Sequence, residues 1–319
     1  MTRTKFTYPI TTLAGSTPRN IIELLKKHKP EPRYYFKTAL TFMVATIFSL
    51  FNLVEKWIMG KRIRNFRLTE PPLFIIGFNR SGTTLLHNLL CQDPKAGYTT
   101  TFHTVFPHCV LTQKWWLGPM TNLAVPKKRP FDNVSFDMNF PQEEEFALAN
   151  LQPFSVYNFF LFPSEFDRFI DEDYFTGMLP AMDIERWKTE YHRLVIKSLL
   201  DTNGTRYISK NPHNIPRIAI LREMYPGSGF VFIYRDPYAV VESLYHFILA
   251  IFPGVKLQDV PVDFSRKKIA RFYAIAMKQY FEMKEKAGGH CFYEIKMEDF
   301  IKLPDECAQG CFASNSVND

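Results

Sequence analysis

Residues 77–84 read Gly-Phe-Asn-Arg-Ser-Gly-Thr-Thr, and this stretch has the residue types needed to hold an anion. Gly77 and Gly82 bracket four residues, the spacing of loops whose inward-turned N–H groups cradle phosphate. An apolar run, Leu73–Phe78, leads in, and an apolar helical pattern follows, so the positive end of a helix would face the ligand. Loops serving nucleoside triphosphates carry a lysine after the second glycine, beside a magnesium ion. Here Thr83 stands in that place. Phosphoryl transfer from a nucleoside triphosphate is therefore the less favoured alternative, and another phosphate-bearing donor is expected. Arg80 would supply the cation. Ser81, Thr83 and Thr84 would add hydroxyls, and Gly82 would let the backbone approach closely.

Three other clusters could join this loop. Arg235-Asp236-Pro237 follows the apolar run Phe230–Tyr234. Asp236 and Pro237 have a structural explanation, as the cap and first residue of a helix. Arg235 has none unless it meets an anion. Lys210, after the run Arg206–Ser209, also lands at the carboxyl end of a strand, where an exposed loop lysine is the alternative to a functional one. The run Gln142-Glu143-Glu144-Glu145 could supply a general base. Three carboxylates also suit the positive start of a helix. Successive side chains point different ways, so only one or two could serve a cleft. His213, close to Lys210, is the rival base, and His103 and His108 could line an acceptor pocket.

These motifs together resemble the sulfotransferases that use 3′-phosphoadenosine-5′-phosphosulfate (PAPS). The loop at 77–84 is similar to their phosphosulfate-binding loop. The segment 206–247, RYISKNPHNIPRIAILREMYPGSGFVFIYRDPYAVVESLYHF, matches their second donor block, and 132–151 resembles an acidic insert of one large branch. The resemblance implies that Arg80, Ser81, Gly82, Thr83 and Thr84 hold the phosphosulfate. It implies that Arg235 and Ser243 hold the 3′-phosphate. It further implies a lysine, here Lys210, near the bridging oxygen, and a base chosen from Glu143 and Glu144. PAPS would be the donor substrate, with no metal, and a small molecule carrying a hydroxyl or amine would be the acceptor. An aromatic-rich stretch at 98–162 suggests a lipid-like acceptor, with a carbohydrate as the alternative. The non-enzymatic alternative is a donor-binding paralogue without turnover, or a membrane-docked binding protein.

The elements that must position these residues alternate between short apolar strands and helices. Strands are expected at 73–78, 206–209, 230–234 and 291–296. Helices are expected at 83–92, 142–150, 184–201, 215–225, 238–251 and 264–287, with irregular chain from 93 to 141. Strands that are apolar throughout belong to parallel sheets covered on both faces. The fold class is therefore α/β, a P-loop-like three-layer fold with a mostly parallel central sheet and helices on both faces. In such sheets ligands bind at the carboxyl ends of the strands. Both Arg80 and Arg235 fall there.

With 319 residues, the chain can build one large domain, and 31 phenylalanines predict aromatic packing. The net charge of +7 is uneven: residues 1–70 carry 13 Lys and Arg against 4 Asp and Glu. Residues 71–302 would be the catalytic body and 1–70 a basic arm. The body has no basic groove interleaved with aromatics, so nucleic acid is not expected as a partner. The arm contains the uncharged stretch 38–54, at the lower limit for crossing a bilayer. Packing or docking at a membrane surface is preferred over spanning. The last residues, 303–319, have no Lys or Arg and no evident apolar periodicity, and are expected to form an atypical tail. Five widely spaced cysteines are expected to be free thiols.

Overall fold

The computed structural model describes residues 8–124, 137–172, 181–287 and 291–316. Part of the acidic block, 132–136, lies outside the described residues. The centre is a parallel sheet of β1 (Leu73–Gly77), β2 (Ala96–Gly97), β3 (Arg206–Lys210), β4 (Gly229–Tyr234) and β5 (Phe292–Lys296), in the order β2-β3-β1-β4-β5. Strand β1 is central, pairing Ile75 with Lys210 on one side and Gly77 with Ile233 on the other. All five residues of β1 are buried, because helices cover both faces.

In chain order, the helices are α1 (Pro18–Lys27), α2 (Tyr35–Asn65), α3 (Thr83–Leu90), α4 (Thr101–Val105), α5 (Val110–Ala124), α6 (Glu144–Leu151) and α7 (Phe166–Ile170). Then come α8 (Ala181–Thr202), α9 (Ile218–Met224), α10 (Pro237–Val255), α11 (Arg266–Ala287), α12 (Met297–Lys302) and α13 (Pro304–Ser316). The main core joins the outer side of β1 and β4 to α8, α10 and α11 through aromatic contacts. Phe166 meets Phe264 edge-on, and Phe232 stacks on Tyr280 at 3.6 Å between ring centroids. Much of the aromatic content expected to line an acceptor pocket is spent here: Phe159, Phe160 and Phe162 are buried in this core.

Several expectations need correction. The segment expected to be irregular before Pro141 contains α4 and α5. The helix expected over 215–225 begins only at Ile218, because Pro212 and Pro216 tighten the preceding turns into a 3-10 segment, Pro212–Arg217. The apolar stretch 38–54 is the middle of a 31-residue helix, α2. It continues through Glu55 because Lys197 neutralises that carboxylate at 2.5 Å. The basic arm is packed into the body: Leu13, Ile21, Leu24 and Ala45 belong to the main core, and Ser16 donates to the Asn150 carbonyl at 2.8 Å. The tail is helical in α13. Its Cys311 is buried against the β1–β5 side of the sheet with Ile75, Leu86 and Phe300. All five cysteines are free thiols.

Candidate active site

The loop between β1 and α3 turns tightly, and two of its residues adopt left-handed backbone. Gly82 has φ 100° and caps α3 without any side chain. A Cβ there would lie 2.2 Å from the Met297 sulfur, so the loop packs directly on the start of α12. Arg80 has φ 72°, uncommon for a residue other than glycine and typical of functional turns. No side chain caps the first turn of α3 and the Leu85 N–H turns to the Gly82 carbonyl at 3.0 Å, so the Thr83 and Thr84 N–H groups and the helix dipole are what the turn offers an anion. Ser81 and Thr83 are buried in the same turn, and Thr84 is partly exposed.

The Arg80 side chain crosses to α10. Its Nε donates to Ser243 Oγ at 3.1 Å, and its guanidinium lies 5.0 Å from the Phe247 ring centroid. Two residues expected to bind one donor, drawn from motifs 163 positions apart, therefore touch. Arg235 sits just past β4, exposed at the carboxyl edge. Asp236 caps α10 by accepting from the Ala239 N–H at 2.8 Å, as its residue type predicts.

Lys210 is the last residue of β3 rather than part of the following loop, and it is 3% exposed. Its Nζ donates to Thr84 Oγ1 at 3.1 Å and pairs with Glu143 at 2.5 Å. Glu143 also accepts a short hydrogen bond from the Tyr157 hydroxyl, which itself accepts from Asn79 Nδ2 at 2.9 Å. A continuous polar chain thus runs from the phosphate loop through Tyr157, Glu143 and Lys210 back to Thr84. Burial alone would raise the Glu143 pKa. The Lys210 ammonium outweighs it, aided by the Tyr157 hydroxyl, and holds this carboxyl below its ordinary value. Burial and the neighbouring Glu143 charge push the Tyr157 hydroxyl well up, so it stays a donor.

The three carboxylates have separate environments. The Glu143 side chain is 14% exposed. Glu144 is wholly buried and accepts from Tyr191 (2.6 Å), Tyr207 (2.7 Å), Ser209 (2.8 Å) and Asn214 (2.8 Å). Burial raises its pKa despite those donors. This corrects the expectation that Glu144 could receive an acceptor proton, because its oxygens are filled and no substrate hydroxyl can reach them. Glu145 accepts from Arg217 (2.7 Å), Asn211 (2.8 Å) and Ser155 (2.8 Å). Burial opposes its ionisation, but the Arg217 charge prevails and lowers its pKa.

The rival histidines sit in packed surroundings. His213 is buried, stacked on Phe272 and edge-on to Tyr157, and desolvation brings its pKa down to about 4. His103 completes a capping box with Thr100 at the start of α4. The His108 ring lies 3.3 Å from the Asn150 carbonyl. Sequence reasoning missed Tyr157 and Asn79. Asn79 lies inside the loop motif and could have been weighed there. Tyr157 lies in a run of phenylalanines and carried no separate signal.

A sequence model of the Sulfotransferase family matches residues 71–312. Two relatives, both omega-hydroxy-beta-dihydromenaquinone-9 sulfotransferase Stf3, come from Mycobacterium bovis and Mycobacterium tuberculosis. Each is 30% identical over 276 residues, 86% of this chain and 69% of the relative. Among solved structures, sulfotransferase STF9 from Mycobacterium avium superposes with TM-score 0.68 at 16% identity, over 93% of this chain and 76% of its own. Sulfotransferase STF1 from Mycobacterium tuberculosis H37Rv gives 0.66 at 16% identity, over 93% and 80%. The two structural likenesses speak for the fold.

Proposed function

The chain belongs to the sulfotransferase family, and from that premise we propose that it moves the sulfuryl group of PAPS to a hydroxyl of a lipid-like acceptor, with Glu143 as general base. That it is a sulfotransferase sets aside both phosphoryl transfer and a purely binding role. The observation that carries the assignment of roles is the position of Lys210, within contact of Thr84 on the phosphate loop and of Glu143. One cation thus links the side that would bear the leaving phosphate to the side that would take the acceptor proton.

The proposed roles draw on this geometry for support. The loop N–H groups, Ser81, Thr83 and Thr84 would hold the phosphosulfate, and Arg80 would bind it beside Ser243. Arg235 and Ser243 would take the 3′-phosphate, the group that separates PAPS from plain adenosine nucleotides. The acceptor oxygen attacks sulfur as the bond from sulfur to the bridging oxygen breaks. The acceptor proton passes to Glu143, and charge on the leaving phosphate is met by Lys210. Before the donor binds, Lys210 holds Glu143 ionised but weakly basic. An anion on the loop would compete for the same ammonium. Glu143 would then be left to the effect of burial, which raises its pKa and makes it a better base. Tyr157, tied to Asn79 on the loop, would keep the carboxylate in place.

The acceptor class rests on the two Stf3 relatives, whose name gives a hydroxylated prenylquinone. An ω-hydroxylated prenylquinone is therefore the first acceptor to assay. The donor is tested by thermal shift. We expect stabilisation by 3′,5′-adenosine bisphosphate that exceeds any effect of ATP with magnesium. The reverse order would remove PAPS from the proposal.

A further inference from the structure

We propose that α2 is a membrane-docking helix that lies along an anionic bilayer surface without crossing it. By length and composition, the helical stretch Pro32–Asn65 could cross a membrane. Its contacts argue for lying flat. One face is fastened to the body at three points. Thr41 Oγ1 accepts from the Thr11 N–H at 3.0 Å, and Phe48 and Phe51 pack on Phe106 and Trp116. Glu55, buried, pairs with Lys197 at 2.5 Å and accepts from the Leu111 N–H at 2.7 Å. Withdrawing α2 into a bilayer would strand Glu55 and Lys197, two charges whose separate burial is costly.

The opposite face is apolar and open. Phe36, Met43, Ile47, Leu50, Val54 and Trp57 follow one another at intervals of three, four or seven residues, which sets them on one side of a helix. All six are exposed, Phe36 by 80% and Trp57 by 86%. A water-facing stripe of this size on a helix of this length marks an interaction surface. The adjoining α5, in contact through Trp116, adds exposed Trp115, Met120 and Leu123.

Charge selects the occupant. Beyond Trp57, the same helix ends in Lys61, Arg62 and Arg64, followed by Arg67, all exposed. Lys61 and Arg64 fall on the line of the apolar stripe. The only acid in α2 is Glu55, and it is buried. An apolar stripe that terminates in a run of exposed cations matches the acyl boundary and headgroups of an anionic lipid surface. A second copy of this chain would bring the same cations into its own interface, so self-association is disfavoured. No residue of the candidate active site lies on this face, whether or not the acceptor is a lipid.

The test is co-sedimentation of the full chain with vesicles of phosphatidylcholine alone or mixed with phosphatidylglycerol. Binding is expected only with the anionic lipid, weakening as salt is raised. Replacing Leu50→Glu and Trp57→Glu together should abolish it. The triple change Lys61→Gln, Arg62→Gln, Arg64→Gln should lower partitioning by about 100-fold, roughly fivefold per charge near such a surface. Thermal shift with 3′,5′-adenosine bisphosphate should be unchanged in both variants, which shows that the body is folded. Lack of binding by the parent, equal binding to neutral vesicles, or a concentration-dependent dimer abolished by Leu50→Glu and Trp57→Glu would overturn the proposal. So would resistance of the bound parent to alkaline carbonate extraction, the sign of a spanning helix.

Discussion

The substitution Glu143→Gln tests the proposed mechanism most directly. Glutamine keeps the size of the side chain, and its one carbonyl oxygen can replace one of the two carboxylate oxygens that serve Tyr157 and Lys210, but it cannot take a proton near neutrality. If Glu143 is the base, turnover should fall ~100- to 10,000-fold, equivalent to about 2.7–5.5 kcal/mol of barrier. Donor affinity should rise or stay level, because the neutral amide no longer competes for Lys210 through charge. The cost to folding is bounded by the local structure. Removing one partner of a fully buried ion pair costs about 3–5 kcal/mol. Here the Glu143 side chain is 14% exposed and one of its two contacts, to Tyr157 or to Lys210, can be kept by the amide oxygen. A loss nearer ~1–3 kcal/mol is expected, within reach of a folded protein. The assay measures release of 3′,5′-adenosine bisphosphate from PAPS with an ω-hydroxylated prenylquinone. Thermal shift with the same bisphosphate reports donor-site integrity. Unchanged kcat in a variant that still binds the bisphosphate would refute the base assignment. Loss of activity together with donor binding would refute the claim that Glu143 acts on the acceptor side.

Arg80→Ala should weaken binding of 3′,5′-adenosine bisphosphate by roughly 10- to 150-fold, the range for one charge-assisted contact. Calorimetric titration checks it, and an unchanged Kd would return Arg80 to a purely structural contact with Ser243. Arg235→Ala should collapse the preference for 3′,5′-adenosine bisphosphate over 5′-AMP while sparing 5′-AMP binding, and an unchanged ratio of the two Kd values counts against a 3′-phosphate role. Stability should fall on acidification, because His87 and His103 are held neutral with pKa values of about 3 and His213 of about 4, chiefly by burial. Their folded values lie below the unfolded value, so the stability they contribute is present above about pH 6.5 and is lost as pH falls towards those values. Near pH ~5 the three together should remove roughly 4 kcal/mol per pH unit. A urea midpoint that stays flat between about pH 6.5 and 5 would contradict their buried neutral state.

What could be read from the sequence was whatever is encoded locally. The loop is a matter of spacing, so Gly77, Arg80, Gly82 and the threonines were legible. The capping role of Asp236 followed from one residue and the proline after it. Four of the five strands were legible, β1 and β4 as unbroken apolar runs, whereas β2 is two residues long and carries no such signal. The tail was missed for a definable reason. Cys307, Ala308, Cys311 and Phe312 recur at helical intervals and bury α13 against the sheet, but small residues and cysteines do not read as an apolar stripe. The length of α2 was missed because Glu55 and Lys56 looked like a boundary, and the partner that neutralises Glu55 is Lys197, far along the chain.

The three glutamates show where local reasoning stops. Nothing in Gln142-Glu143-Glu144-Glu145 distinguishes one carboxylate from the next. Their fates are set by what α6 places around each of them. Glu143 precedes the helix and turns to Lys210 on β3 and Tyr157 in the 3-10 segment Val156–Phe160. Glu144 enters the helix and is swallowed by hydroxyls from α8 and β3. Glu145 is fixed by Arg217 and holds Asn211, the residue after Lys210. Two of the three therefore brace the backbone that presents the third and its lysine. A substitution at Glu144 or Glu145 should act on folding and on the placement of Lys210, while one at Glu143 should act on chemistry. That division rests on three consecutive side chains facing three different environments, each supplied by a different part of the chain.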